Sequence, residues 1–166
     1  GNQYQPCTNQ LEKVLQKFSI CEEDAILDTG CGKGKAMYLM SRFPFRKIQG
    51  YDLSEELVRI ANQNFQKLGL KNCRAFQADA MEFADYDDFN YFFIFNSFPQ
   101  KVFGVMMKHL LESVERRPRK VRFIYLNPVC HDYMEAHTPF CLIYRKKALL
   151  SWFTYHCYEI TDRNFC

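Results

Sequence analysis

Three glycines at alternate positions, Gly30, Gly32 and Gly34, follow an apolar run that closes on an acid, Ala25-Ile26-Leu27-Asp28. Glycine tolerates φ > 0 and has no side chain, so such a loop lets an elongated ligand lie against bare backbone. Asp28, at the mouth of the loop, would repel phosphates and welcome an ammonium group. The expected ligand is therefore polar and cationic at one end. In dinucleotide loops the pattern is G-x-G-x-x-G, with the third glycine one place later and a pyrophosphate on the helix N-terminus; here it is G-x-G-x-G.

Two further acids repeat the theme. Asp52 closes a second apolar segment, Lys47-Ile48-Gln49-Gly50-Tyr51-Asp52, 24 residues after Asp28. In a βαβ unit that interval sets a carboxylate at the tip of the neighbouring strand, where it can accept both hydroxyl hydrogens of a ribose. Asp79 follows a third short segment and offers acceptor oxygens at the same end. Taken alone, Asp79 reads as the N-cap of a helical turn over residues 80–83.

The elements that must carry these acids follow from periodicity. Strands are expected over residues 25–28, 47–52, 73–77, 89–95, 121–126, 140–144 and 152–160. Between them, Leu11, Val14, Leu15 and Phe18 recur at helical spacing, with Asn9 and Glu12 as a capping box. A helix over 34–42 stops before Pro44, and Ser54 caps another that ends at Gly69. A fourth helix, over 100–114, has Val102, Val105, Met106, Leu110 and Val114 on one face, with His109 as a surface or packing residue. Residues 132–136 suit a short helix. Strands alternating with helices predict an α/β fold, and the nearly all-aromatic 89–95 run belongs at its centre.

The 166 residues suit one domain with a sizeable core, expected over 1–166, with residues 1–8 as a disordered lead-in or, as the resemblance given below implies, a lid that includes Tyr4. At 48% hydrophobic and 16% aromatic the composition excludes a disordered chain. No apolar run is long enough to span a bilayer. Eight cysteines occur without a C-x-x-C pair or a matching histidine spacing, so no metal site is expected and buried thiols are favoured over a disulfide framework. With no leader pattern, the cytoplasm is the expected compartment. A net charge of +3 neither demonstrates nor excludes a nucleic-acid partner.

The D-x-G-x-G-x-G motif after an apolar strand resembles motif I of the class I S-adenosylmethionine-dependent methyltransferases. With Asp52 and Asp79 the resemblance extends from about residue 9 to residue 160. It implies a Rossmann-like three-layer α/β/α sandwich with a seven-stranded, mostly parallel sheet whose last strand is antiparallel and lies beside the fifth. It implies S-adenosylmethionine as cofactor, held by Asp28, Thr29, Gly30, Cys31, Gly32, Gly34, Asp52, Leu53, Asp79, Ala80 and Asn96. Asp28 would serve the cofactor's amino group through the loop, Asp52 its ribose and Asp79 its adenine.

Amine-methylating relatives carry an Asn/Asp-Pro-Pro-aromatic loop after the fourth strand. This chain has Asn96-Ser97-Phe98-Pro99 there. It keeps the Asn and an aromatic but not the Pro-Pro, and Asn96 becomes the candidate catalytic residue for orienting an acceptor. Asn127 and His131 follow the fifth strand at the end where substrate would sit, and His131 is a candidate base. Glu115-Arg116-Arg117-Pro118-Arg119-Lys120 lies at the opposite end and reads as a solvated turn or docking patch. Arg145-Lys146-Lys147 reads as a turn facing the cofactor side, able to meet a phosphate or acidic acceptor. The expected function is methyl transfer to an unidentified acceptor, which could be RNA, protein or a small molecule. The alternatives are a non-catalytic methyltransferase-like scaffold and a nicotinamide-dependent oxidoreductase, the latter disfavoured by the glycine spacing and Asp28.

Overall fold

The computed structural model describes residues 8–95, 98–147 and 154–161. The elements in chain order are α1 (Thr8–Leu15), β1 (Ala25–Thr29), α2 (Lys35–Met40), β2 (Lys47–Asp52), α3 (Glu55–Lys67), β3 (Cys73–Gln77), β4 (Tyr91–Phe95), α4 (Gln100–Arg116), β5 (Val121–Leu126), α5 (His131–His137), β6 (Cys141–Lys147) and β7 (Thr154–Ile160). The strands form one seven-stranded sheet in the order β3-β2-β1-β4-β5-β7-β6. The first five strands pair in parallel, and β7 runs antiparallel between β5 and β6. The strand order reverses between β1 and β4. In an open α/β sheet the crevice for ligands lies there, beyond the carboxyl ends of the strands.

Burial explains which strand sits where. Every residue of β1 is buried and β4 is buried up to Phe95, as befits strands covered on both faces. β6 is largely exposed and stands at the edge, with a bulge between Leu142 and Tyr144. One face packs under α1, α2 and α3 through Leu11, Val14, Met37, Met40 and Phe65. The other packs under α4 and α5 through Phe103, Met106, Leu110 and Met134. Among the described residues, no helix is long and apolar enough to cross a membrane.

Several expectations shift. β4 begins at Tyr91 because Phe89 turns back to Tyr86, while the Asn90 side chain joins Ala25 N–H and the Asp24 carboxylate, fixing β4 beside β1. The buried stripe of α4 is Phe103, Met106, Met107, Leu110 and Ser113, so Val105 faces a groove instead of the core. Residues 80–83 form a turn, without a helix. The segment from 78 to 90 covers its part of the sheet with rings, Phe83, Tyr86 and Phe89, and Tyr86 shares a buried 3.0 Å hydroxyl contact with Tyr51.

The basic run is a clasp for this segment, which corrects its reading as a solvated turn. Arg119 donates to the carbonyls of Tyr86, Phe89, Ser113 and Arg117, and Arg116 pairs with Asp87 at 2.9 Å. Arg145, Lys146 and Lys147 are the last residues of β6, so they belong to a strand instead of a turn, although they do end at the carboxyl side of the sheet. Cys141 is disulfide-bonded, a departure from the expectation of thiols alone; Cys21, Cys31, Cys73, Cys130 and Cys157 are free.

Candidate functional site

The glycine loop crosses the carboxyl end of β1 and doubles back onto β2. Gly30 and Cys31 both donate their N–H to the Tyr51 carbonyl at 2.9 Å, and Gly34 donates to the Cys31 carbonyl at 2.9 Å. Gly30, Gly32 and Gly34 have φ of 88°, 53° and 86°, left-handed values that suit glycine. Their tasks nonetheless differ. A Cβ on Gly34 would lie 2.5 Å from the Phe65 ring, so that glycine allows α3 to approach the loop. A Cβ on Gly32 would meet nothing within 4 Å, so the space above it is open.

Sequence reasoning missed Gly50. A Cβ there would stand 2.6 Å from both Cys31 Cβ and Met37 Sδ, and without this glycine the loop could not settle on β2. The available signal was an isolated glycine inside a strand, which marks a close approach of another segment.

Asp52 ties the loop to the next helix. Its Oδ2 accepts Gly32 N–H at 3.0 Å and its Oδ1 accepts Ser54 N–H at 2.9 Å, while Ser54 Oγ caps α3 by accepting Leu57 N–H. Each carboxylate oxygen keeps a second lone pair for a hydroxyl donor. Asp28 lies beneath the loop at 2% exposure. Burial, and then the nearby charge of Asp52, pushes its carboxyl up to about 8, and no hydrogen bond from the described residues offsets this. A buried acid of this kind is stabilised as the anion by an incoming cation.

Asp79 is exposed, and its Oδ1 accepts Met81 N–H at 2.9 Å, an Asx turn at the tip of β3 where a helix N-cap was expected. Leu53 stands 67% exposed beside Asp52, and Ala80 is buried below the β3 tip. Thr29 is buried and donates to the Phe93 carbonyl at 3.0 Å, which makes its side chain a tie between β1 and β4. Cys31 is buried, and burial with the charges of Asp28 and Asp52 pushes its thiol far up, leaving it unreactive. Asn96, Ser97 and Tyr4 lie outside the described residues. Among the described residues, no group of three or more His, Cys, Asp or Glu is arranged to hold a metal ion.

An open backbone cradle, flanked by acids and set over a buried carboxyl that has no hydrogen-bond partner among the described residues, fits a cationic nucleoside. The family of methyltransferase domains matches this chain over residues 6–138. The chain belongs to that family. Over 81 residues this methyltransferase domain is 33% identical to a probable cobalt-precorrin-6B C(15)-methyltransferase (decarboxylating) of Methanococcus maripaludis, covering 48% of the chain and 44% of the relative. Over 76 residues it is 30% identical to the ribosomal protein L11 methyltransferase of Caldanaerobacter subterraneus, covering 46% and 23%. The matched segment spans less than half the length of these curated relatives.

Among solved structures, a SAM-dependent methyltransferase from Aquifex aeolicus superposes with a TM-score of 0.67 at 19% identity, covering 90% of this chain and 88% of that one. An rRNA methylase from Streptococcus thermophilus superposes with a TM-score of 0.69 at 14% identity, covering 97% and 99%. Identities this low show the shared fold. The family's cofactor is S-adenosylmethionine.

The candidates for the acceptor side follow β5. Asn127 directly follows β5 with φ of 54°, a left-handed value that asparagine tolerates better than most residues, and donates to the Thr154 carbonyl at 2.8 Å. His131 opens α5 and meets Tyr158 and His156 from β7. Sequence reading found His131 but neither of its partners, because they reach it only through the antiparallel insertion of β7.

Proposed function

We propose that this domain binds S-adenosylmethionine over the glycine loop and transfers its methyl group to an acceptor held beyond the ends of β4 and β5. The observation that carries the proposal is the open space above Gly32, bordered by the Asp52 carboxylate. Gly30, Gly32 and Gly34 give the backbone clearance, with Thr29 and Cys31 holding the loop in place. Asp28 lowers the free energy of the ammonium end, Asp52 accepts from the ribose, Leu53 and Ala80 flank the adenine, and Asp79 accepts from its amino group. Asn96 orients the acceptor.

The bound cofactor supplies an electrophilic methyl on a sulfonium. The protein has to align the acceptor within roughly 3 to 3.5 Å of that carbon and exclude water. The curated relatives are named for a cobalt-precorrin and for a ribosomal protein, so the fold alone does not choose among small-molecule, protein and RNA acceptors.

Calorimetric titration with S-adenosylmethionine tests the proposal. Binding is expected, and Asp52→Ala should weaken it at least about tenfold, the loss of a hydrogen bond to a charged group, while the protein stays folded. No heat at millimolar cofactor would leave the scaffold reading in its place. Transfer of radiolabelled methyl into fractionated cell extract then identifies the acceptor pool.

A further inference from the structure

An open groove of about 840 Å³ runs between α4 and α5, in the layer on the opposite face of the sheet from α1, α2 and α3. Its floor is apolar. Val105 and Leu111 of α4 are half-buried there, and Tyr133 of α5 closes on Gly104, where a Cβ would come within 3.0 Å of the phenol oxygen. The Tyr133 ring is braced by Phe103 and His137, at centroid distances of 6.0 and 4.7 Å.

Four charges line the same groove along α4, in the order Lys101, Lys108, Glu112 and Glu115. They stand seven, four and three residues apart, which keeps them on one face of the helix. Glu112 is half-buried and the other three are exposed. None of the four forms an ion pair among the described residues. Arg116, one turn beyond Glu112, is taken by Asp87 at 2.9 Å. Lys108 and Glu112 are one turn apart with the lysine on the N-terminal side, the weaker order for such a pair.

This order of charges opposes the helix that carries it. A helix dipole favours acids near the N-terminus and bases near the C-terminus. α4 has no acid in its first turn, where Lys101 stands, and Glu115 lies in its last. Beside an antiparallel neighbour the same order becomes favourable, because the acidic end of one helix lies along the basic start of the other.

We propose that this groove is a two-fold dimer interface, in which α4 of a second copy of this chain packs antiparallel to α4 over the floor of Val105, Leu111 and Tyr133. A two-fold interface needs a surface complementary to itself. A stripe that runs from bases to acids has that property, since a half-turn brings each end onto its opposite. With the axis level with residue 109, Lys101 lies within about 3 Å, measured along the helix, of the partner's Glu115, and Lys108 within the same distance of the partner's Glu112. Lysine side chains span that offset. Exposed pairs of this kind fix register and partner choice more than affinity, and burial of the apolar floor supplies the attraction. A nucleic acid or an anionic membrane would instead meet Glu112 and Glu115 with repulsion.

Sedimentation velocity of the chain over a series of protein concentrations tests the interface. Wild type should pass from monomer to dimer as concentration rises, and added salt should weaken the dimer. Lys101→Glu with Lys108→Glu makes the stripe wholly acidic, and Glu112→Lys with Glu115→Lys makes it wholly basic. Each double variant alone should sediment as a monomer. An equimolar mixture of the two should dimerise, because every pair is restored with its signs exchanged. Circular dichroism checks that both are folded; if either is not, Lys101→Gln with Lys108→Gln carries the test and should weaken the dimer at least tenfold. Wild type that stays monomeric at millimolar protein overturns the proposal. A dimer that the variants leave unchanged overturns it as well, and so does a mixture that stays monomeric.

Discussion

Replacing Asp28 by Asn should stabilise the protein while weakening its cofactor site. The carboxyl is buried and raised from 3.8 to about 8, so the native state holds a proton that the unfolded chain releases. For an acid raised on folding, stability is fully present below the unfolded value and is lost as pH climbs toward the folded one. The slope is about 1.4 kcal/mol per pH unit, across the window from 3.8 to about 8. From about pH 5 to about pH 7 this amounts to roughly 2 to 3 kcal/mol. Asn has nearly the same shape and no charge to lose, and any penalty for its buried amide is constant with pH.

Urea denaturation of both proteins across this range isolates the effect, since the other titrating groups cancel in the difference. The advantage of Asp28→Asn should grow steadily with pH and level off above about 8. The same substitution should cost S-adenosylmethionine at least about tenfold in affinity, because an ammonium loses its charged partner. A stability difference that is flat with pH would refute the account of Asp28 as a buried acid awaiting a cation.

The remaining predictions separate scaffold from site. Gly32→Ala should unfold with a loss of about 1 to 2 kcal/mol for its left-handed backbone but lose cofactor affinity, whereas Gly34→Ala, whose Cβ meets the Phe65 ring, should lose more stability, about 2 to 4 kcal/mol; thermal melts and calorimetry on the pair check the ordering. Arg119→Ala should cost about 2 to 3 kcal/mol by freeing the 78–90 segment with cofactor affinity unchanged, read by denaturation and titration. His156 is held neutral in the fold, so stability should fall as pH drops from 6.5 toward about 4, and His156→Gln should flatten that limb in acid denaturation.

What the sequence made legible was whatever depends on neighbours along the chain. The parallel βαβ arithmetic from Asp28 to Asp52 needs only a strand, a helix and another strand, and Asp52 does close the strand beside β1, where it is tied to the glycine loop through Gly32. The same local logic placed β7 beside β5 once the resemblance supplied its direction. What stayed hidden depends on partners distant in sequence. Gly34 looks like a ligand glycine until α3 is docked and Phe65 occupies the space its side chain would take.

The run from Arg116 to Arg119 looks solvated because the acids and carbonyls that bind it, at residues 84–89, lie about thirty positions earlier. They are available only because no helix forms between β3 and β4 to cover that part of the sheet. An arginine fork needs several converging acceptors, and an irregular segment with turned-in carbonyls supplies them where a helix would have consumed them internally. Charge density in a sequence therefore marks a surface only when the facing segment has satisfied its own backbone; here it had not, and the cations became part of the structure.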